Sequence, residues 1–302
     1  MYPTHYDKGW HITGSTGMLG AAAACARLLK LDVQQTMMAL GIAASQPVGL
    51  REQFGTMSKP LHPGAAARTG LMAALMAQQG FTSSTKALEA PRGLIQVAAP
   101  AFNWNEITDE LGKRFEISFN TYKPFACGIV SQPSMDACVQ LNRQGVKAED
   151  IERLDLKVHS LVLELMGKKT PTIGLEGKFS VYHCCAVALI FGQAGEPEYS
   201  DEVVNRPDVL AMRAKVNAVV TDGIDEAAAD VTAVMKDGRR IHIEIEHAIG
   251  SLERPMSDKD LEAKFHSQAD AVLGNVKTRA LMDIAWRMTT IRDVSELTQL
   301  AV

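Results

Sequence analysis

Four short stretches hold residues able to do chemistry, and each lies at the edge of a regular segment. The first is Gly9-Trp10-His11-Ile12-Thr13-Gly14, directly ahead of a helical run. A histidine before a helix N-terminus stands where backbone N–H groups and the helix dipole favour an anion. The second spans 54–64, Phe-Gly-Thr-Met-Ser-Lys-Pro-Leu-His-Pro-Gly, with Lys59 and His62 three apart in a Gly- and Pro-bounded loop that feeds a helix. An ammonium is a compact point charge and an imidazole can give or take a proton near neutrality, so the pair suits a carboxylate ligand. The plainer reading is a solvated loop. The third is Tyr122-Lys123-Pro124-Phe125-Ala126-Cys127-Gly128, between a strand and a helix. A lysine at a domain junction can point into a cleft where small molecules bind. Cys127 has no histidine at a telling spacing and reads as packing before it reads as a nucleophile. The fourth runs from Glu176 to Cys185 and sets Tyr182 and His183 at the opening of a helix. A phenol there reaches a bound ligand or, more simply, packs in a core, and the vicinal Cys184-Cys185 read as small apolar fillers.

The elements that must position these residues fall into three textures. From Gly14 to about Gly93 the chain is helical and small-sided, with five alanines in residues 21–26. Asp32 with Gln35 three positions later predicts a capping box and a helix towards Ser45. Pro63 is placed to open a third helix with Leu71, Ala74, Leu75 and Gln78 at helical spacing, closed by Gly80. From about Phe115 to Gly250 strands enter. Residues 114–119 alternate, as do Leu154, Leu156 and Val158, and 231–247 predict a hairpin about a type I′ Asp237-Gly238 turn with Ile241, Ile243 and Ile245 on one face. Helices are expected over 133–142 and 180–191. Beyond Pro255, Ser257 caps one helix and another follows from Lys277. The expected fold class is therefore α+β: a helical domain over 1–115, an α+β domain over 116–250, and a return to the helical domain over 251–302.

Composition narrows the function classes. With 31 basic and 35 acidic residues the chain is too balanced for a dedicated nucleic-acid or polybasic membrane binder. Its five cysteines form no C-x-x-C pair, which argues against a zinc ribbon or a disulfide framework and for reduced thiols. No apolar run approaches a membrane span, and the first ten residues lack the marks of a secretory signal, so a cytoplasmic address is expected. Dinucleotide, nucleotide, zinc-protease and serine-hydrolase motifs do not occur.

Taken together, GWHITGSTGMLGAAAA, ALGIAASQPVGL, FGTMSKPLHPGAAARTG, YKPFACGIVSQPSMDA and EGKFSVYHCCAVAL resemble the MmgE/PrpD family in order and texture. The resemblance covers essentially the whole chain. It implies a helical domain carrying an inserted α+β lid, a homodimer, and no metal or organic cofactor. Matched motif by motif, it implies active-site roles for His11, Lys59, Lys123 and Tyr182, with Thr13, Ser58 and His62 beside the substrate. The implied chemistry takes a proton or CO2 from carbon beside a carboxylate, most directly in dehydration of a 2-methylcitrate-like hydroxy acid. Epimerisation of an iminodisuccinate-like dicarboxylate is the alternative, and a carboxylate-binding homologue without activity is another. Lys59 and Lys123 are expected to clamp the polycarboxylate as the lid closes. Family members also carry, upstream of the G-x-H segment, further helices and an Asp-Phe-Asp-Asp segment followed by a histidine. Here Met1 stands ten residues before His11, so the chain is expected to be a fragment or one part of a split protein with apolar surface for another chain to cover.

Overall fold

The structure is a computed structural model that describes residues 1–301; Val302, the end of the expected third segment, lies outside the described residues. It divides into two compact units, Met1–Phe115 and Glu116–Val302. Each is built by different local rules.

In the first unit three helices pack against one another: α1 over Ile12–Leu28, α2 over Val33–Ala44 and α3 over Ser58–Gln78. The Asp32–Gln35 capping box opens α2 as expected: Asp32 accepts from the Gln35 N–H and Gln35 reaches back to the Asp32 N–H. Replacing Asp32 with alanine removes one of these bonds and should cost about 1 kcal/mol, a small drop in melting temperature that circular dichroism will read. Helix α3 begins earlier than expected. Its first turn starts at Ser58, Pro60 occupies a position whose N–H has no partner inside a helix, and Pro63 lies within the helix. Its buried stripe is also not the leucines. Leu71 and Leu75 are 45% and 37% exposed, whereas Ala66, Thr69, Gly70, Ala73, Ala74 and Ala77 are buried. Small residues face the core because α1 crosses so closely that a Cβ on Gly70 would fall 2.4 Å from the Ala21 Cβ and 2.6 Å from the Ala22 nitrogen. Gly80 ends the helix in the left-handed region, at φ +85°.

The second unit carries a four-stranded mixed sheet, so the fold is α+β. Strands β1 (Ile151–Val158), β2 (Val216–Val220), β3 (Ala229–Met235) and β4 (Arg240–Ile245) lie in the order β2-β1-β3-β4. β1 runs parallel to β2 and antiparallel to β3, and β4 pairs with β3 as a hairpin. One face, bearing Leu154, Leu156, Val231, Ala233, Ile243 and Ile245, is buried with helices α4 (Gln132–Arg143) and α5 (Val181–Phe191) in one core. The other face carries charge: Lys157 and His242 both reach Asp230, at 3.0 and 2.9 Å. The hairpin joins by a different turn from the one expected. Only Gly238 is left-handed, at φ +86°, and Gly238 N–H bonds the Met235 carbonyl while Met235 N–H bonds that of Arg239. This is a three-residue connection with glycine at the left-handed position, since Asp237 keeps a negative φ that a type I′ turn forbids.

The alternation over 114–119 does not make a strand. Glu116–Phe119 forms a short 3₁₀ turn, and all six residues are exposed. Among the described residues no strand pairs with this segment, and alternation alone holds nothing extended. The helices α6 (Asp258–Leu273), capped by Ser257, and α7 (Asn275–Trp286) pack on each other and group with the second unit. Among the described residues no helix is long and apolar enough to cross a membrane.

Candidate active site

The reactive groups of the first unit converge through the backbone before the side chains. Residues 9–11 lie antiparallel to 49–51: His11 N–H bonds the Gly49 carbonyl at 3.0 Å and Arg51 N–H bonds that of Gly9 at 2.8 Å. This strap makes His11 the N-cap of α1 and turns its ring towards α3. There His11 Nδ1 lies 2.9 Å from His62 Nδ1, on the second turn of that helix. Phe54 closes on His11 edge-on at 5.1 Å, and the Lys59 ammonium sits 5.6 Å from the centre of the Phe54 ring. Burial, then the charge of Lys59, then His62 lower the His11 pKa to about 4. The imidazole is therefore neutral at pH 7 and has a lone pair to offer.

A layer beneath fixes the approach to His11, and no motif singled out its residues. His5 is buried and stacked on Trp10 at 5.6 Å, with Nδ1 3.0 Å from the Ala98 carbonyl and Nε2 2.6 Å from Ser15 Oγ. Facing a carbonyl, Nδ1 carries a hydrogen, and the Ser15 hydroxyl that meets Nε2 also lies 3.3 Å from the His11 carbonyl, which ties this layer to the strap. Thr13 is exposed on the first turn of α1, and Ser58, half-buried, opens α3 beside Lys59.

Lys123 and Tyr182 belong to the second unit. Lys123 is exposed, and its carbonyl accepts a hydrogen bond from the Lys264 ammonium. Lys264, which no motif singled out, is pushed below the usual lysine range by burial and by the Lys123 charge. Tyr182 is buried at the start of α5, where burial raises its phenol pKa, and Lys169 lies 5.8 Å from the ring centre. Cys127 is buried too, hydrogen-bonded with Ser131 Oγ at 3.2 Å and with Gln132 Nε2 at 3.2 Å. Cys184 and Cys185 are fully buried.

The N-terminal domain of the MmgE/PrpD family matches residues 1–107, and the C-terminal domain of that family matches 125–289. The chain belongs to the MmgE/PrpD family. Among curated relatives, it is 24% identical to the cis-aconitate decarboxylase of Mus musculus over 97% of this chain and 62% of that protein. It is 26% identical to the cis-aconitate decarboxylase of Aspergillus terreus over 97% of this chain and 65% of that protein. It is 25% identical to the 2-methylcitrate dehydratase of Escherichia coli strain K12, over 78% of this chain and 53% of that protein. The chain thus spans under two-thirds of the length of these MmgE/PrpD relatives. Of the residues that the family motifs pointed to, the structure brings His11, Lys59 and His62 together, with Thr13 and Ser58 on the adjoining first turns. Phe54, which joins His11 and Lys59, lay in the quoted motif without a role.

Proposed function

We propose that this MmgE/PrpD chain serves a lyase reaction on a small di- or tricarboxylic acid, in which a proton is exchanged at carbon beside a carboxylate. The observation that supports it most is the neutral, buried His11 imidazole beside the Lys59 ammonium. A base that is uncharged at pH 7 can take a proton from carbon, and a nearby cation offsets the charge that develops on the carboxylate as it does so. Decarboxylation uses the same two groups in the opposite sense: the carbon left electron-rich by departing CO2 takes a proton from the imidazolium form of His11, which has first taken that proton from solvent, and His11 returns to its neutral form. The alignments with cis-aconitate decarboxylases run over nearly the whole chain and favour a cis-aconitate-like tricarboxylate. Dehydration of a 2-methylcitrate-like hydroxy acid is the second reading, supported by the shorter alignment with the dehydratase.

The test is proton exchange in heavy water with cis-aconitate, 2-methylcitrate, citrate and iminodisuccinate, followed by mass spectrometry of substrate and product. Deuterium at carbon, with loss of CO2 or of water, is expected for one of the first three. Exchange without either loss would point to an epimerase, and no exchange with any of them would remove the proposal. His11→Gln is expected to lower the rate by about 10²-fold or more, the usual worth of a positioned acid–base group. Lys59→Ala should act in the same direction. Lys123→Ala and Tyr182→Phe are the matching variants for the second unit: unchanged exchange in either takes that residue out of the reaction.

A further inference from the structure

The contact between the two imidazoles carries more than the acid–base role given to His11, although its catalytic meaning rests on that role. Two ring nitrogens 2.9 Å apart must have one hydrogen between them. Two N–H groups would collide there, and two lone pairs would repel. In one arrangement His11 donates from Nδ1, and its Nε2 is a bare lone pair, which is a base. In the other His62 donates, and His11 carries its hydrogen on Nε2, which leaves that nitrogen a hydrogen-bond donor with no lone pair for a substrate proton. The heavy atoms need not move between the two.

The fold builds this contact deliberately close. His11 is held by its own N–H on the Gly49 carbonyl. Gly49 has a φ of +100°, and a Cβ there would come 3.0 Å from His62 Nδ1 and 3.4 Å from the His11 Cβ. A Cβ on Gly14 would lie 3.2 Å from the His62 Cβ and 2.3 Å from the Val48 carbonyl oxygen. Both glycines leave the space that lets the rings meet. His62 is buried, facing His11 rather than open solvent.

We propose that His62 is a positioning residue that fixes the tautomer of His11 and accepts its Nδ1 proton during the reaction. When His11 Nε2 takes a proton from substrate, the ring becomes an imidazolium. Its Nδ1–H bond then breaks as an N–H bond forms at His62 Nδ1. His11 is left neutral with the substrate-derived proton on Nε2, ready to be returned, and the positive charge rests on His62. This assigns His62 to the proton rather than to the substrate contact that the family resemblance implied.

Two-bond ¹H–¹⁵N correlation spectra of the full chain, labelled with ¹⁵N-histidine and assigned with His11→Gln and His62→Asn, read the tautomers without any turnover. At pH 7 one ring of the pair is expected as Nδ1–H and the other as Nε2–H. Two Nε2–H rings would overturn the proposal whatever the activity. In kinetics, His62→Leu is expected to lower kcat by about tenfold or more with KM unchanged. His62→Asn, whose amide can still face His11 Nδ1, should recover most of the loss. A raised KM with intact kcat, or no recovery in the asparagine variant, would instead mark His62 as a substrate contact or a packing residue. If the tautomers are as expected but His11→Gln exchanges normally, the proposed function fails while the hydrogen-bond assignment stands.

Discussion

Lowering the pH from 6.5 to 4 is expected to strip much of the stability from the protein, ahead of most of the loss from its paired carboxylates. Two histidines are the cause, one in each unit. Burial, Lys59 and His62 lower the His11 pKa to about 4, and burial, opposed by the Glu198 carbonyl and aided by Arg213, does the same for His183. His183 is fully enclosed at the start of α5. Its Nε2 donates to the Glu198 carbonyl at 3.2 Å, and its Nδ1 is buried with no hydrogen-bond partner. Once unfolded, both rings take up protons near pH 6.5; folded, they resist until about pH 4. The unfolded chain therefore binds more protons across that window, and folding free energy falls as the pH falls. His183, fully enclosed, withdraws about 3 kcal/mol over the full window, and His11, less deeply buried and shifted in part by screened charges, withdraws less; together they are a large share of the stability of about 5–15 kcal/mol usual for a domain. Stability is complete above pH 6.5. The carboxylates held low by their partners, Asp155 beside Arg153 and Glu176 beside Lys168, begin to lose their contribution at the foot of this window, where the unfolded chain protonates its own carboxylates, and lose most of it at lower pH. Urea unfolding between pH 7.5 and 4 measures the slope, and a flat profile from 6.5 to 4.5 would mean that neither ring is buried uncharged.

Gly70→Ala is expected to destabilise the first unit by about 2 kcal/mol or more, although alanine is the better helix former by about 1 kcal/mol. The added Cβ would meet the Ala21 Cβ at 2.4 Å, the Ala22 nitrogen at 2.6 Å and the Ala21 carbonyl carbon at 2.7 Å. Two of these are backbone atoms of α1, which cannot rotate aside, so the helices must part. Gly20→Ala is the control, on the same helix pair. Nothing lies within 4 Å of the Cβ it would add, and only the propensity gain remains, about 0.5–1 kcal/mol of stabilisation. Thermal unfolding of both variants separates crowding from propensity. Equal shifts would show that α1 and α3 are not in close contact at Gly70.

What was legible in the sequence was local. Asp32 with Gln35, Ser257 ahead of α6 and the alternating isoleucines of β4 each state their conformation within a few residues, and all three hold. Residues 114–119 carried the same alternation as β1 but lie outside the sheet of the described residues, and pattern without a ladder gave a turn. Pro63 misled because proline is best tolerated in a first turn, yet the chain becomes helical at Ser58. The reactive motifs were legible as residue types and not as contacts. His11 and His62 lie 51 positions apart, and what joins them is the main-chain strap of 9–11 on 49–51 together with two glycines that leave room for the rings. Neither has a side-chain signature. Lys264 was invisible for the same reason: the contact that brings it to Lys123 is with a main-chain carbonyl oxygen 141 residues away in sequence.

The charged face of the sheet bears on how one molecule tolerates many others. β4 is the last strand in the order, so one row of its N–H and C=O groups faces outward. A stray strand docking along that edge would also have to lie beside Arg240, His242 and Glu244, which alternate with Ile241 and the buried Ile243 and Ile245. Bringing a foreign chain against three charged or titratable groups removes water from them without offering partners. The same residues that solvate the face thereby guard the rim against fibril-like accretion in a crowded solution.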